Sequence, residues 1–159
     1  MHSLECYCSQ VPLLWAAEIG HDATVHLLLA TNDIDSGSKD YLSQTPLSHA
    51  ARNGHSAVVK LLLEMGLVDV DSQDRNYRTP FSRAAENGHL AVVELLLETD
   101  QVDVDSKDRD YRTPFSWAAG SGHLAVVELL LATERLMSTQ RTKTAGRRCR
   151  VQLRTSVWL

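Results

Sequence analysis

Thr79–Arg112 reads TPFSRAAENGHLAVVELLLETDQVDVDSKDRDYR, and its recurrence decides the fold. Thr45–Arg78, TPLSHAARNGHSAVVKLLLEMGLVDVDSQDRNYR, is a second copy of the same unit. Thr113 opens a third, TPFSWAAGSGHLAVVELLLAT, and Val11 opens a more diverged one, VPLLWAAEIGHDATVHLLLAT. Each start lies 34 residues after the last. A fixed period of this length marks a stacked repeat protein. The fold class expected is therefore an all-α repeat solenoid of about four layers.

Local chemistry gives each unit two helices. Threonine caps an unpaired backbone N–H, and proline suits the first helical position. All four prolines, Pro12, Pro46, Pro80 and Pro114, occupy that position. Val11 replaces the threonine in the first copy, which weakens its cap. The first helix is about two turns long and ends at Gly20, Gly54, Gly88 and Gly122, where glycine can take the left-handed conformation. The second begins after His21, His55, His89 and His123. In Leu90–Leu97 apolar residues lie on most sides, so the helix must be covered on most sides. Neighbouring units supply that cover, so one unit cannot fold alone and several can. Leu62 and Leu96 should accordingly be buried.

Thr45-Pro46-Leu47, Ala50-Ala51, Gly54-His55 and Leu61-Leu62-Leu63, with their counterparts one period on, resemble the ankyrin repeat. The resemblance covers Val11 to Thr133. It implies repeats at 11–44, 45–78 and 79–112, a partial one at 113–133, and a hairpin after each second helix. Residues 1–10 are read as an N-terminal cap or truncated repeat, and 134–159 as a basic, disordered tail. The wording also looks like the arrays common in filamentous fungi, some of which belong to larger NOD-like receptor-type sensors.

Three departures from the family pattern carry expectations. Serine stands at 48, 82 and 116 where the family has histidine, and it should bond only locally. One residue is added before the Val-Asp segment, where Gly66 can end its helix and Asp100 holds the equivalent place. Tyr77 and Tyr111 stand at hairpin tips where glycine is usual. A bulky residue resists positive φ, so Asn76 and Asp110 are expected to take the strained conformation.

The function classes narrow by chemistry. Residues 1–132 hold 9 Lys+Arg against 19 Asp+Glu, while 133–159 hold 7 against Glu134 alone. The three cysteines, Cys6, Cys8 and Cys149, do not form a disulfide framework, which favours an intracellular, cytoplasmic or nuclear setting. His2, Cys6 and Cys8 are too few and too crowded for a structural zinc site. The four recurrent histidines should be spread in a row by stacking rather than gathered. Asp69, Asp71 and Asp74, with Asp103, Asp105 and Asp108, lack the glycine and glutamate of a calcium loop. No nucleophile elbow, phosphate loop or dinucleotide fingerprint occurs. No catalytic residue, cofactor, metal, membrane span or small-molecule substrate is therefore expected.

Copies two and three agree at about seven positions in ten, so their disagreements inform. The residue before Ala-Ala varies freely: Trp15, His49, Arg83, Trp117. The resemblance implies that these positions and the hairpin tips form a concave partner-binding face. The candidates are Trp15, His49, Arg83 and Trp117, with Arg75, Tyr77, Arg78, Arg109, Tyr111 and Arg112. Trp, Tyr and Arg are enriched at binding hot spots; the alternative for Trp15 and Trp117 is packing on neighbouring helices. The function expected is a non-catalytic protein-interaction module. Its rivals are a nucleic-acid or chromatin-associated protein led by the basic tail, and a fragment of a receptor-type array. The tail also admits an import signal around Arg147–Arg150, or no function at all.

Overall fold

A computed structural model describes residues 5–31, 34–66 and 68–133, with side chains from Pro12 onward. The chain divides after Val126 into two compact units. The first holds α1 (Glu5–Ile19), α2 (Asp22–Ala30), α3 (Pro46–Asn53), α4 (Ser56–Glu64), α5 (Pro80–Glu86), α6 (Leu90–Leu97) and α7 (Pro114–Gly120). Residues 124–126 close that unit as helix, and 127–133 of the second unit are helical too. No strand occurs among the described residues. The fold is the all-α repeat solenoid that the period implies.

Capping chemistry sets the helix starts. Thr45, Thr79 and Thr113 have extended backbones, and their hydroxyls accept the N–H of Ser48, Ser82 and Ser116 at 3.2, 3.2 and 3.3 Å. Ser82 and Ser116 answer with their own hydroxyls on the Thr79 and Thr113 carbonyls. The serines thus bond locally, as their reach dictates. The first copy differs. Helix runs unbroken from Glu5, through the stretch read as a cap or remnant, and encloses Pro12. Valine at position 11 has no hydroxyl to cap a new helix, so nothing marks a fresh start there.

First helices stack on first helices, α1 on α3 on α5 on α7, and second helices on second helices, α2 on α4 on α6. Leu47, Ala50, Ala51, Phe81, Ala84 and Ala85 are fully buried between them. So are Val58, Val59, Leu62, Val92, Val93 and Leu96. The alanine pairs remove the bulk that would hold adjacent layers apart.

The Gly-His pair ties each layer to the next. Gly20, Gly54, Gly88 and Gly122 all have positive φ, between 73° and 84°. The conformation ends the first helix, but a second reason excludes side chains at three of them. A Cβ on Gly20 or Gly54 would stand 2.5 Å from Nδ1 of His55 or His89, and one on Gly88 would collide with His123. Those rings reach across to bond the Glu18, Arg52 and Glu86 carbonyls through Nε2 at 2.9, 2.9 and 3.0 Å. The histidines therefore form a row of interlayer staples, 34 residues apart, and do not cluster. The added residue of the longer period is absorbed in the left-handed region, with Gly66 at φ 64° and Asp100 at φ 53°.

Candidate interaction surface

The loop after each second helix is a hairpin built on one aspartate. Asp74 N–H donates to the Arg78 carbonyl at 3.1 Å and Tyr77 N–H to the Asp74 carbonyl at 2.9 Å. The Asp74 carboxylate Oδ1 accepts the N–H groups of Asn76 and Arg78 at 2.8 and 3.0 Å. Asp108 holds Asp110 and Arg112 in the same way, both at 2.9 Å, and Asp40 holds Leu42 and Gln44, both at 2.8 Å. Successive tips are joined by backbone bonds, Arg75 N–H to Leu42 O and Arg109 N–H to Asn76 O.

This loop corrects the turn expected from sequence. Positive φ falls on Tyr77 (60°), Tyr111 (61°) and Ser43 (63°), not on Asn76 and Asp110. A three-residue hairpin loop needs a left-handed residue in its last position, whichever residue stands there. For a side chain larger than glycine the conformation costs about 1–2 kcal/mol. The aspartate clamp on both flanking N–H groups holds it in place.

The second oxygen of each aspartate explains the variable residue before Ala-Ala. His49 Nε2 lies 3.1 Å from Asp40 Oδ2, Arg83 Nη2 donates to Asp74 Oδ2 at 2.5 Å, and Trp117 Nε1 donates to Asp108 Oδ2 at 2.9 Å. Each pair is nine residues apart. His49, Arg83 and Trp117 differ in shape but share a nitrogen donor, and each struts a first helix against its own hairpin. His49 is buried, while Arg83 and Trp117 are half-buried. At the matching place before Trp15 stands Cys6 rather than an aspartate, and Trp15 is 64% exposed.

Arg78 extends the network between layers. Its Nη1 donates to Glu86 at 3.0 and 3.2 Å, its Nε lies 3.7 Å from Asp108 Oδ2, and its guanidinium sits 4.4 Å over the Trp117 ring. Glu86 also lies 3.6 Å from Arg83. Asp74, Arg83, Glu86, Arg78, Asp108 and Trp117 thus form one line of charge and hydrogen bonds. Burial raises the Asp108 pKa, but the Arg112 N–H, the Trp117 indole, the Asp110 N–H and the Arg78 charge together outweigh it. The carboxyl is held below its ordinary value of 3.8. Asp71 moves the other way: burial, with Asp103 and Asp69 adding repulsion, raises it against one N–H bond from Asp103.

The sequence candidates therefore separate into two groups. His49, Arg78, Arg83 and Trp117 are engaged inside the stack. Trp15, Arg75, Tyr77, Arg109, Tyr111 and Arg112 remain exposed. Tyr77 is 55% and Tyr111 83% exposed, at the tips. Among the described residues no carboxylate pairs with Arg75 or Arg109, and Arg112 meets only the Trp117 ring, 4.7 Å from its centroid. Sequence reasoning missed Tyr41, 69% exposed on the first tip. The missed signal was its place 34 residues before Arg75. It also missed the three hairpin aspartates, whose signal was the nine-residue spacing to a nitrogen donor.

The aspartates once compared with a calcium loop have other work: Asp74 and Asp108 spend both oxygens on N–H groups. No group of three or more potential metal ligands occurs among the described residues. The side chains of His2, Cys6, Cys8 and Cys149, and all of residues 134–159, lie outside them. No described helix is long and apolar enough to cross a membrane.

Stacked helix pairs, stapled by histidine and carrying a row of stiffened hairpins, define a repeat protein that presents a surface. The chain belongs to the ankyrin-repeat family: the family model described as ankyrin repeats (3 copies) matches residues 2–74 and 65–144. Members of that family are in general non-enzymatic protein-interaction modules. Among the curated proteins compared with it, none matches this chain.

Proposed function

We propose that this chain is a non-catalytic, intracellular adaptor that binds a protein partner through its hairpin tips. The contact residues are Tyr41, Arg75, Tyr77, Arg109, Tyr111 and Arg112, with Trp15 at the margin. One observation carries this reading: Tyr77 and Tyr111 are held at positive φ by buried aspartates while their side chains stay in solvent. Conformational strain is spent there on exposed aromatic groups that stabilise nothing in the stack. Tyrosine and arginine lose little freedom on binding for the area they bury, which suits a preordered binding row. His49, Arg78, Arg83 and Trp117 act behind that row as its support.

The basic segment 134–159 supports a second reading, nucleic-acid association, through its excess of six positive charges over one acid. One experiment separates the two. Partner capture is compared for the full chain, for Y77A/R109A/Y111A, and for a chain ending at Thr133. Loss in the triple variant with capture kept by the shortened chain supports the tips. The reverse pattern, with binding of duplex DNA that falls steeply with salt, moves the activity to the tail. The fungal-type and receptor-array reading predicts further repeats encoded beside this chain, which the surrounding genomic sequence decides.

A further inference from the structure

We infer that copies of this chain join end to end through the contact its own layers already make. Comparing one position in successive layers shows what a neighbour covers. Ser48 and Ser82 are buried and Ser116 is exposed; Ala51 and Ala85 are fully buried and Ala119 is exposed. These mark the trailing side of a layer. Val58, Val92 and Val126 are buried and Thr24 is exposed; Leu61 and Leu95 are half-buried and Leu27 is 67% exposed. These mark the leading side.

The joint itself is the histidine staple, made three times within the chain. A ring lies where glycine lacks a Cβ, and Nε2 takes a carbonyl two residues before that glycine. Both halves of a fourth staple stand unused. His21, in register with His55, is exposed and makes no capping bond. Above Gly122, already at φ 78°, nothing lies within 4 Å of a Cβ position. Three intervening staples keep the two halves apart in one molecule. A second copy brings them together: its His21 ring covers Gly122, its Nε2 bonds the Gly120 carbonyl, and its leading side meets the side bearing Ser116 and Ala119. The occupant is a copy of this chain because the joint continues an interface the chain has already formed three times. Such a contact is heterologous, so each addition leaves one free end of each kind and the assembly stays open. Thr24, where the inner layers have valine, keeps the joint weak.

Sedimentation of the full chain, from micromolar to millimolar concentration, tests this. The wild-type average mass rises with concentration past the dimer. His21→Asp blocks the leading end and Ala119→Arg the trailing end, so each variant alone stays monomeric. Mixed, they form a one-to-one dimer and nothing larger, because one sound end of each kind survives. Thr24→Val restores the inner residue and lowers the concentration for assembly by roughly fourfold, the value of one buried methyl-sized group. Far-UV circular dichroism checks that each variant folds, and Leu27→Lys repeats the leading-end test. A wild type that stays monomeric throughout overturns the inference; this includes the case in which residues 134–159 cover the trailing end. So does a mixture that fails to pair, or a single variant that assembles like the wild type.

Discussion

Asp108 concentrates more of the hairpin's energetics than any other single group, and its replacement by asparagine gives the sharpest test. Its side chain is 3% exposed and accepts three N–H bonds of 2.9 Å, from Asp110, Arg112 and the Trp117 indole. Asparagine keeps one oxygen for the two backbone groups. It turns an NH2 toward the Trp117 indole N–H, so two donors face each other, and it removes the charge beside Arg78. A lost bond to a charged acceptor with an unsatisfied donor costs about 2–3 kcal/mol. Asp108→Ala removes all three bonds and should cost about 3–5 kcal/mol. Either is a large share of the roughly 5–15 kcal/mol that holds a domain together. Urea unfolding followed by circular dichroism reads these values at neutral pH.

A pH series adds a second readout. The folded-state pKa of Asp108 lies below the unfolded value of 3.8. Its contribution is therefore complete above that value and is lost as pH falls through the depressed folded one. The gap between wild type and Asp108→Asn should be constant from pH 7 to about 5 and close in acid. Trp117→Phe removes the matching donor, and combining the two changes should cost less than the sum of the singles by more than about 1 kcal/mol. An Asp108→Asn protein within about 0.5 kcal/mol of wild type at neutral pH would refute the claim that the indole and this carboxylate hold the hairpin.

Gly54→Ala should lose more than about 2 kcal/mol, because strain at positive φ adds to a clash with the His89 ring. Gly122→Ala meets no ring and should lose only the strain of about 1–2 kcal/mol; equal losses in thermal unfolding would remove the ring from the explanation. Asp71 has its folded pKa above 3.8, so its ionised form favours unfolding and stability is lost as pH rises through the folded value. Asp71→Asn should therefore gain on wild type between pH 3 and 7, and a gap that does not change with pH counts against the burial argument. Y77A/R109A/Y111A should bind partner at least about tenfold more weakly with its melting midpoint little changed, as calorimetry and a thermal scan would show.

Much of the fold is legible in the residues because it rests on local rules. Thr-Pro starts a helix through a cap three residues long, and Gly20, Gly54, Gly88 and Gly122 end one through their own φ. Leu62 and Leu96 are buried because a helix that is apolar on most sides has no stable alternative. The site is less legible. His49, Arg83 and Trp117 vary between copies as contact residues do, yet they vary while keeping a donor for an aspartate nine residues back. Free variation in shape concealed constancy in hydrogen bonding. Tyr77 and Tyr111 take the backbone angle that their own preference resists, because the hairpin imposes it.

The sequence by itself determined the period, the pairing of helices within each unit, their caps and the identity of the buried leucines. All of these depend on residues within one or two helical turns of one another, where spacing and side-chain chemistry suffice. Only the tertiary structure decided which arginines and tryptophans are engaged and which are free, that His55, His89 and His123 bind one layer back, and that α1 begins at Glu5. Those outcomes are set by groups nine to 37 residues apart that meet only when layers stack, and a side chain's fate there depends on what the neighbouring layer offers it.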